Sequence, residues 1–348
     1  EQIFKTRYHV QLSRKVMGNW MYLTAQWLSL VHEALREEIR ATGCMQLDET
    51  PVRYIDPGTG RCSQGYLWGG YAPAIKTVVY DWYPSRSAAC LDKMLAGYGG
   101  LAQSDGYAAY GSWYDAADAK QRDAITLAAC WAHARRRFKD AETYPRSLDV
   151  LAEIRKLYRI EEHLREHPEL DRSRVRREQA PRILERIKAI LDEEQPRQLP
   201  QSAFGKAIGY TLNLWDKLTV YVDHSQLEID TNLMENAIRP IALGKKNWLF
   251  FGSRDSGQSA AILYSLIEPF LIETGIQALS TGLKDRRTHL TYSVMTKGAA
   301  DRLLRMEMVP VRNKDRELNG FILVLQDLSQ QMEIERTTQD LIEWFMEE

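Results

Sequence analysis

The sequence has no CxxC pair. Its four cysteines, Cys44, Cys62, Cys90 and Cys130, are scattered over 348 residues. That argues against a zinc ribbon and a disulfide scaffold, and fits a reducing compartment. A charge excess of one sign is also missing. Lys and Arg number 46, Asp and Glu 47, and the formal net charge is −1. Bulk charge therefore does not announce a nucleic-acid binder, and such a role would need local basic patches. No apolar run is long enough to span a membrane, since "AAILYSLIEPFLIETG" is broken by Glu268, Pro269 and Glu273. No signal-peptide pattern is read at Glu1, and no internal repeat or low-complexity tract is read along the 348 residues. The chain opens at Glu1 without Met, inside a helical pattern. A missing N-terminal part is the expectation.

What is present is an ordinary globular composition: 44% hydrophobic and 27% charged residues, with nine Trp and seventeen Tyr. It argues against disorder and for more than one domain. Apolar residues recur at helical spacing over 5–40, ending in "WMYLTAQWLSLVHEALREEI". From residue 43 the period changes. "CMQLDETPVRYI", "QGYLWGGYAP" and "KTVVYDWYP" read as three strands of a meander, the first two joined by the turn "DPGTG". "SRSAACLDKMLAGYGG" reads as a helix with a Ser cap and a Gly stop. "GLAQSDGYAAY" is a short strand ending in a turn, and "AITLAACWAHARRRF" a strand entering a basic helix. Amphipathic helices fill 140–222, and "LGKKNWLFFGSRDSGQSAAILYSLIE" reads as a loop and a buried helix. A meander followed by strand–helix crossovers is the pattern of an α/β, ribonuclease-H-like mixed sheet with an inserted helical block and flanking helices. The expected units are 1–40 (helical), 41–139 (first part of the core), 140–228 (helical insertion), 229–268 (last core helices) and 269–348 (an unrelated tail).

Three acids stand out from their surroundings, although each alone has an ordinary reading. Asp48 sits among the apolar neighbours Met45, Leu47 and Val52, where a carboxylate is costly unless paired, bonded or metal-bound; otherwise it is a strand-end Asp facing water. Asp105 precedes Gly106, a common turn. Asn232 and Glu235 have capping-box spacing, and Asp230 could equally start that helix. Asn232, Glu235 and Arg239 share one helix face, which looks either into a cleft, with Asn232 and Arg239 as DNA contacts, or into solvent. In the predicted fold the first strand is central and the fourth lies beside it. Asp48 and Asp105 can then meet, with Glu235 closing the cluster. Such carboxylates repel unless cations lie between them. Two Mg²⁺ ions with oxygen ligands suit in-line phosphoryl displacement. "CWAHARRRFKD" gathers His133, Arg135, Arg136, Arg137 and Lys139, for phosphate contacts or as a solvated basic helix start. Lys245 and Lys246 beside Trp248 read as backbone contacts with a stacking ring, or as a core Trp with its neighbours. Asp56, Asp81 and Asp115 read as turn or surface residues.

"LDETPVRY", "YLWGGYAP", "QSDGYAAY", "CWAHARRRF", "IDTNLMENAIRPIALGKKNWLFFGS" and "AAILYSLIE" resemble, in this order, the core of the insertion-sequence family 66 transposases over about residues 1–268. The resemblance implies a cytoplasmic, nucleoid-associated bacterial transposase with the acidic triad Asp48, Asp105 and Glu235, using Mg²⁺ or Mn²⁺. Water would attack a phosphodiester at the transposon end, and the freed 3′-hydroxyl would attack target DNA. DNA and further copies of the chain are the implied partners. The family usually begins with a cysteine-containing zinc-binding segment and a DNA-end-binding helical region, and neither is complete here. "MVPVRNKDRELNGFILVLQDLSQQMEIERTTQDL" is similar to the end of a PAS domain and its exit helix, so a foreign tail is expected. The alternatives are a plain nuclease of the same fold and an inactive DNA-binding or signalling fusion.

Overall fold

The structure is a computed structural model that describes residues 5, 6, 9, 11–56 and 58–266, and the backbone of 290–296, 302–312 and 318–327. Ser13 Oγ accepts the Val16 N–H at 3.2 Å and opens α1, Arg14–Ala41. The helix expected over 5–40 is thus interrupted, because residues 11–13 form the irregular approach to this cap. Ala25, Leu28 and Val31 of α1 pack on Ile262, Leu263 and Leu266 of a later helix, residues 254–266.

The strands are β1 (Cys44–Asp56), β2 (Arg61–Ala72), β3 (Thr77–Tyr83), β4 (Gly100–Ser104), β5 (Ile125–Ala129) and the short β6 (Phe250–Phe251). They form one mixed sheet ordered β3-β2-β1-β4-β5, with β6 on β1. The meander β1-β2-β3 is antiparallel, whereas β4 and β6 pair with β1 in parallel, as β5 does with β4. Between strands lie α2 (Ala89–Leu95), α3 (Ala108–Ala116) and α4 (Ala119–Ala124). The residue before α2 is Ala88, and no side chain caps that helix, in place of the expected serine. Gly97, at φ +67°, ends it as predicted.

Both faces of the meander are covered, so its strands lack a simple alternation. Met45, Leu47, Trp68 and Val79 face Leu91, Met94, Tyr110 and Trp113 from α2 and α3. Val52, Tyr54, Leu67, Val78 and Tyr80 face α11, Asn232–Trp248, through Met234, Ala237, Ile238 and Ile241. Burial on both sides explains why Asp81, read as a surface residue, is only 2% exposed. Its carboxylate accepts from Arg36 Nη2 of α1 at 2.5 Å. Gly69 of β2 is needed for close packing, since a Cβ there would meet Met234 Cε at 2.2 Å. The loop expected from Leu243 is instead helical to Trp248, with Pro240 inside α11.

After β5 comes α5 (Trp131–Asp140), then α6 (Pro145–Glu166), α7 (Arg172–Gln179), α8 (Pro181–Glu194), α9 (Ala203–Asn213) and α10 (Trp215–Thr219). Their apolar faces merge with Leu101, Ala128 and Ala129 of the sheet into one core. Arg176 lies inside this core, 0% exposed. Nε and Nη2 donate to Glu161 at 2.8 and 2.6 Å; Nη1 donates to the Tyr221 and His224 carbonyls, and Nη2 also to that of Leu227. Every guanidinium N–H is therefore used, which is what allows the charge to be buried.

In the tail, β7 (Leu290–Thr296), β8 (Arg302–Arg312) and β9 (Leu318–Asp327) form an antiparallel sheet ordered β7-β8-β9. The strand–turn–strand pattern expected there is β8 and β9, and the expected exit helix lies outside the described residues. Among the described residues no helix is long and apolar enough to cross a membrane.

Arg176→Ala should lower the unfolding free energy by about 3–5 kcal/mol in urea titrations, because Glu161 is left charged and buried. A loss below about 1 kcal/mol, the scale of an exposed pair, would show that the pair is not desolvated.

Candidate active site

The first two acids follow the β1–β4 ladder. Gln46 of β1 is paired with Gln103 of β4 in a parallel ladder. The ladder stops at this pair, two residues short of Asp48 and of Asp105, which lies just past the end of β4, and the charge of Asp105 acts on Asp48. Gly106 turns the chain there with φ +79°, and a Cβ would press on Leu214 Cδ1 at 2.4 Å. Only glycine meets both demands. The Asp105 carboxylate accepts the Tyr107 N–H at 2.8 Å, and its carbonyl accepts the Tyr210 hydroxyl of α9. Asp48 is half-buried and accepts the Glu49 N–H at 2.9 Å.

The third acid is delivered by two buried glutamines. Gln46 Nε2 donates to Gln103 Oε1 at 3.0 Å and to the Asp230 carbonyl at 2.8 Å. Its Oε1 accepts the Met234 N–H at 3.2 Å. Gln103 Nε2 donates to the Glu228 carbonyl at 2.8 Å. Together they fasten the segment 228–234, and so the start of α11, to the centre of the sheet. Thr231 is the N-cap and no side chain caps the helix, while Asp230, one residue before it, braces the first helical residue, Asn232. Asp230 Oδ1 accepts the Asn232 N–H at 3.1 Å, and Asp230 Oδ2 accepts Asn232 Nδ2 at 2.8 Å and the Tyr158 hydroxyl at 3.0 Å. The capping box does not form, because Asn232 is already the first helical residue.

Glu235 is therefore free to turn toward α5. Its Oε1 lies 3.7 Å from His133 Nε2 and its Oε2 lies 3.6 Å from Arg136 Nη2. Both distances exceed a hydrogen bond, and Glu235 Oε1 is buried with no hydrogen-bond partner. The charges overlap electrostatically. Burial, then repulsion from Glu49, Asp105 and Glu235, pushes Asp48 up to about 7 against the opposing Glu49 N–H. Burial lowers His133, outweighing the pull of Glu235 and Asp105. The three carboxylates do not form a closed cage with ligand atoms all within 4.8 Å. Arg136 supplies the positive charge on the α5 side of Glu235, beside a His133 whose protonation burial disfavours.

Glu49, which the sequence did not single out, faces the other side of β1. It accepts from Arg86 and, at 3.0 Å, from the Tyr110 hydroxyl. Arg86 also lies over the Tyr107 ring at 3.7 Å and within the field of Asp105. An acid beside Asp48 on an alternating strand is visible in sequence. Its partners, distant along the chain, are not.

The basic residues separate. His133 and Arg136 face Glu235, as above. Arg135 lies 5.7 Å over the Tyr158 ring and Lys139 pairs with Glu142, both exposed. Arg239 and Lys246 are exposed on α11. Lys245 Nζ donates to Thr50 Oγ1 at 3.0 Å and to the Pro51 carbonyl at 3.2 Å, and burial lowers its pKa. Trp248 is half-buried and stacked on Phe251 at 4.8 Å. Lys245 stands ten residues beyond Glu235, roughly 15 Å along the helix, so this group is not part of the acidic cluster.

Residues 1–259 match the model of the family described as "Transposase IS66 family". The uncharacterized protein y4jD of Sinorhizobium fredii is 33% identical over 276 residues, covering 76% of this chain and 54% of y4jD. The uncharacterized protein y4qI of the same organism is 30% identical over 272 residues, covering 74% of this chain and 50% of y4qI. The chain thus spans about half the length of these curated relatives.

Two outcomes test this geometry. Gln46→Leu should cost about 2–4 kcal/mol in denaturant titrations, since the Asp230 carbonyl, Met234 N–H and Gln103 Oε1 all lose a buried partner. Asp48 binds its proton more tightly folded than unfolded, so its penalty on stability appears as pH rises from about 4 to 7. With chelator present, Asp48→Asn should raise stability by about 2 kcal/mol at pH 8, and the gain should shrink toward zero near pH 4.

Proposed function

The chain belongs to the IS66 family of transposases, and on that footing we propose that it cuts and joins DNA phosphodiesters through Asp48, Asp105 and Glu235. The observation that supports this reading is that the charges of Asp105 and Glu235 both act on Asp48, with the β1–β4 ladder ending two residues before the aspartates and the buried glutamines fastening the start of α11 to it. The antiparallel meander followed by parallel crossover strands supports a ribonuclease-H-like catalytic domain, with α6–α10 as its helical insertion.

The residues fit a hard divalent cation. The donors are oxygens only, burial and then neighbouring carboxylates raise Asp48, and Glu235 Oε1 is buried without a hydrogen-bond partner. Asp48, Asp105 and Glu235 would hold Mg²⁺ or Mn²⁺, two ions in all, which would supply activation of the attacking oxygen and neutralise charge on the phosphate. The rest falls to the chain. The Tyr107 N–H and the Tyr210 hydroxyl fix the Asp105 turn. His133 and Arg136 hold Glu235 beside the cluster until it turns inward, and Arg136, exposed, then faces a DNA phosphate. Arg135, Lys139, Arg239 and Lys246 contribute further backbone contacts from exposed positions. A water attacks at the transposon end and frees a 3′-hydroxyl, which attacks target DNA. The enzyme acts as a homo-oligomer holding both DNAs.

The test uses DNA carrying the terminal repeats that flank the gene. Nicking at the repeat boundary should require Mg²⁺ or Mn²⁺ and fall at least about a hundredfold in Asp48→Asn, Asp105→Asn and Glu235→Gln. Joined products should fall with it. Nicking without joining would favour a plain nuclease, and unchanged cleavage in Asp48→Asn would overturn the assignment.

A further inference from the structure

Outside the acidic cluster, the helical block carries another group of ligand-type side chains. His163, Glu166 and His167 each present one ligand atom, and the three atoms lie within 4.8 Å of one another. All three residues are exposed. They occupy the end of α6, where His167 is the C-cap and donates its N–H to the His163 carbonyl at 3.0 Å. Spacings of three and four residues place Glu166 and His167 over the same turn as His163, and the two imidazole centroids are 4.5 Å apart. Beyond the cap, Glu169 Oε1 lies 3.2 Å from His167 Nδ1.

We propose that His163, Glu166 and His167 form a surface site for a borderline divalent transition-metal ion of the Zn²⁺ class, supported by Glu169. Two imidazoles and a carboxylate match Zn²⁺, Ni²⁺ or Cu²⁺, whereas Mg²⁺ prefers oxygen donors alone. The site lies at the helix C-terminus, the negative end of the helix dipole, which favours a cation. Because the side chains are exposed, small rotamer shifts close the ligand set at little cost, and water completes the coordination. Glu169 serves in either tautomer. With a proton on Nδ1 it holds the ring and leaves Nε2 to the metal; with Nδ1 as ligand it stands next in reach as a further oxygen donor.

Such an ion would clip the last turn of α6 to the turn leading into α7, whose N-cap is Asp171. From the inner side the same corner is held by Arg172, which donates to Glu161 and Glu228. The ion would fasten it from outside. The nitrogen-containing donor set separates this site from the all-oxygen acidic cluster, so the two sites would sort metals by chemistry.

Titration calorimetry of the full chain with Zn²⁺, in excess Mg²⁺ to fill oxygen sites, tests the proposal. One saturable Zn²⁺ site is expected. His163→Ala and His167→Ala should each weaken it at least about tenfold, the double variant should abolish it, and Glu169→Gln should weaken it about tenfold. Zn²⁺ should raise the unfolding temperature of the parent chain and leave that of the double variant unchanged. Matching unfolding temperatures without metal would establish that the exposed substitutions leave the fold intact. Absence of a saturable site, or Zn²⁺ binding that persists in the folded double variant, would overturn the proposal.

Discussion

The candidate site depends on one buried amide pair. Gln46 and Gln103 lie fully covered at the centre of β1 and β4, and their side chains bridge those strands to the backbone of residues 228–234. A buried amide must have its donors and acceptors met. Here the partners belong to a segment more than a hundred residues away in sequence. The requirement therefore fixes where that segment runs, and with it the first turn of α11. Two residues downstream of each glutamine sit Asp48 and Asp105, and one residue past the Met234 N–H sits Glu235. Bonds made by their neighbours leave the charges of Asp105 and Glu235 acting on Asp48, although the three are remote in sequence.

That convergence is paid for in stability. Asp48 is held near charges of its own sign, and its carboxylate is pushed up to about 7. Glu49, its neighbour, faces the opposite side of the strand, where Arg86 and Tyr110 satisfy it. Strand alternation thus sends one acid to a neutralised structural role and leaves the next uncompensated. Carboxylates with perturbed protonation are found more often at chemical sites than elsewhere, and His133 and Arg136 stand beside Glu235.

The helical block is more than an appendage. Its apolar faces share a core with β4 and β5, and two of its tyrosines reach the site: Tyr158 through Asp230, and Tyr210 through the Asp105 carbonyl. Arg137 lies 4.1 Å over the Tyr210 ring, which ties α5 to the same contact. Shifts of α6 or α9 would therefore be felt at the helix start and at the acidic turn. This gives the block a physical route to influence the site without supplying an acid to it.

Much of this was written locally. The meander, the glycine stop after Leu95 and the basic helix after β5 follow from period, turn residues and caps, which act over a few residues. The order of elements also placed β4 beside β1, and so brought Asp48 toward Asp105. Local signals failed where distant partners decide. Asp81 looked exposed until Arg36 of α1 covered it. Asn232 and Glu235 had the spacing of a capping box, yet Thr231 is the N-cap and Asn232 binds Asp230 instead. Lys245 and Trp248 read as a DNA-facing pair from spacing, and their protein-side partners Thr50, Pro51 and Phe251 were visible only in the fold. The sequence by itself determined which residues carry charge and in what order the elements come. Only the tertiary structure decided which carboxylate is neutralised and which is left bare, because that choice rests on burial and on partners that the chain supplies from far away.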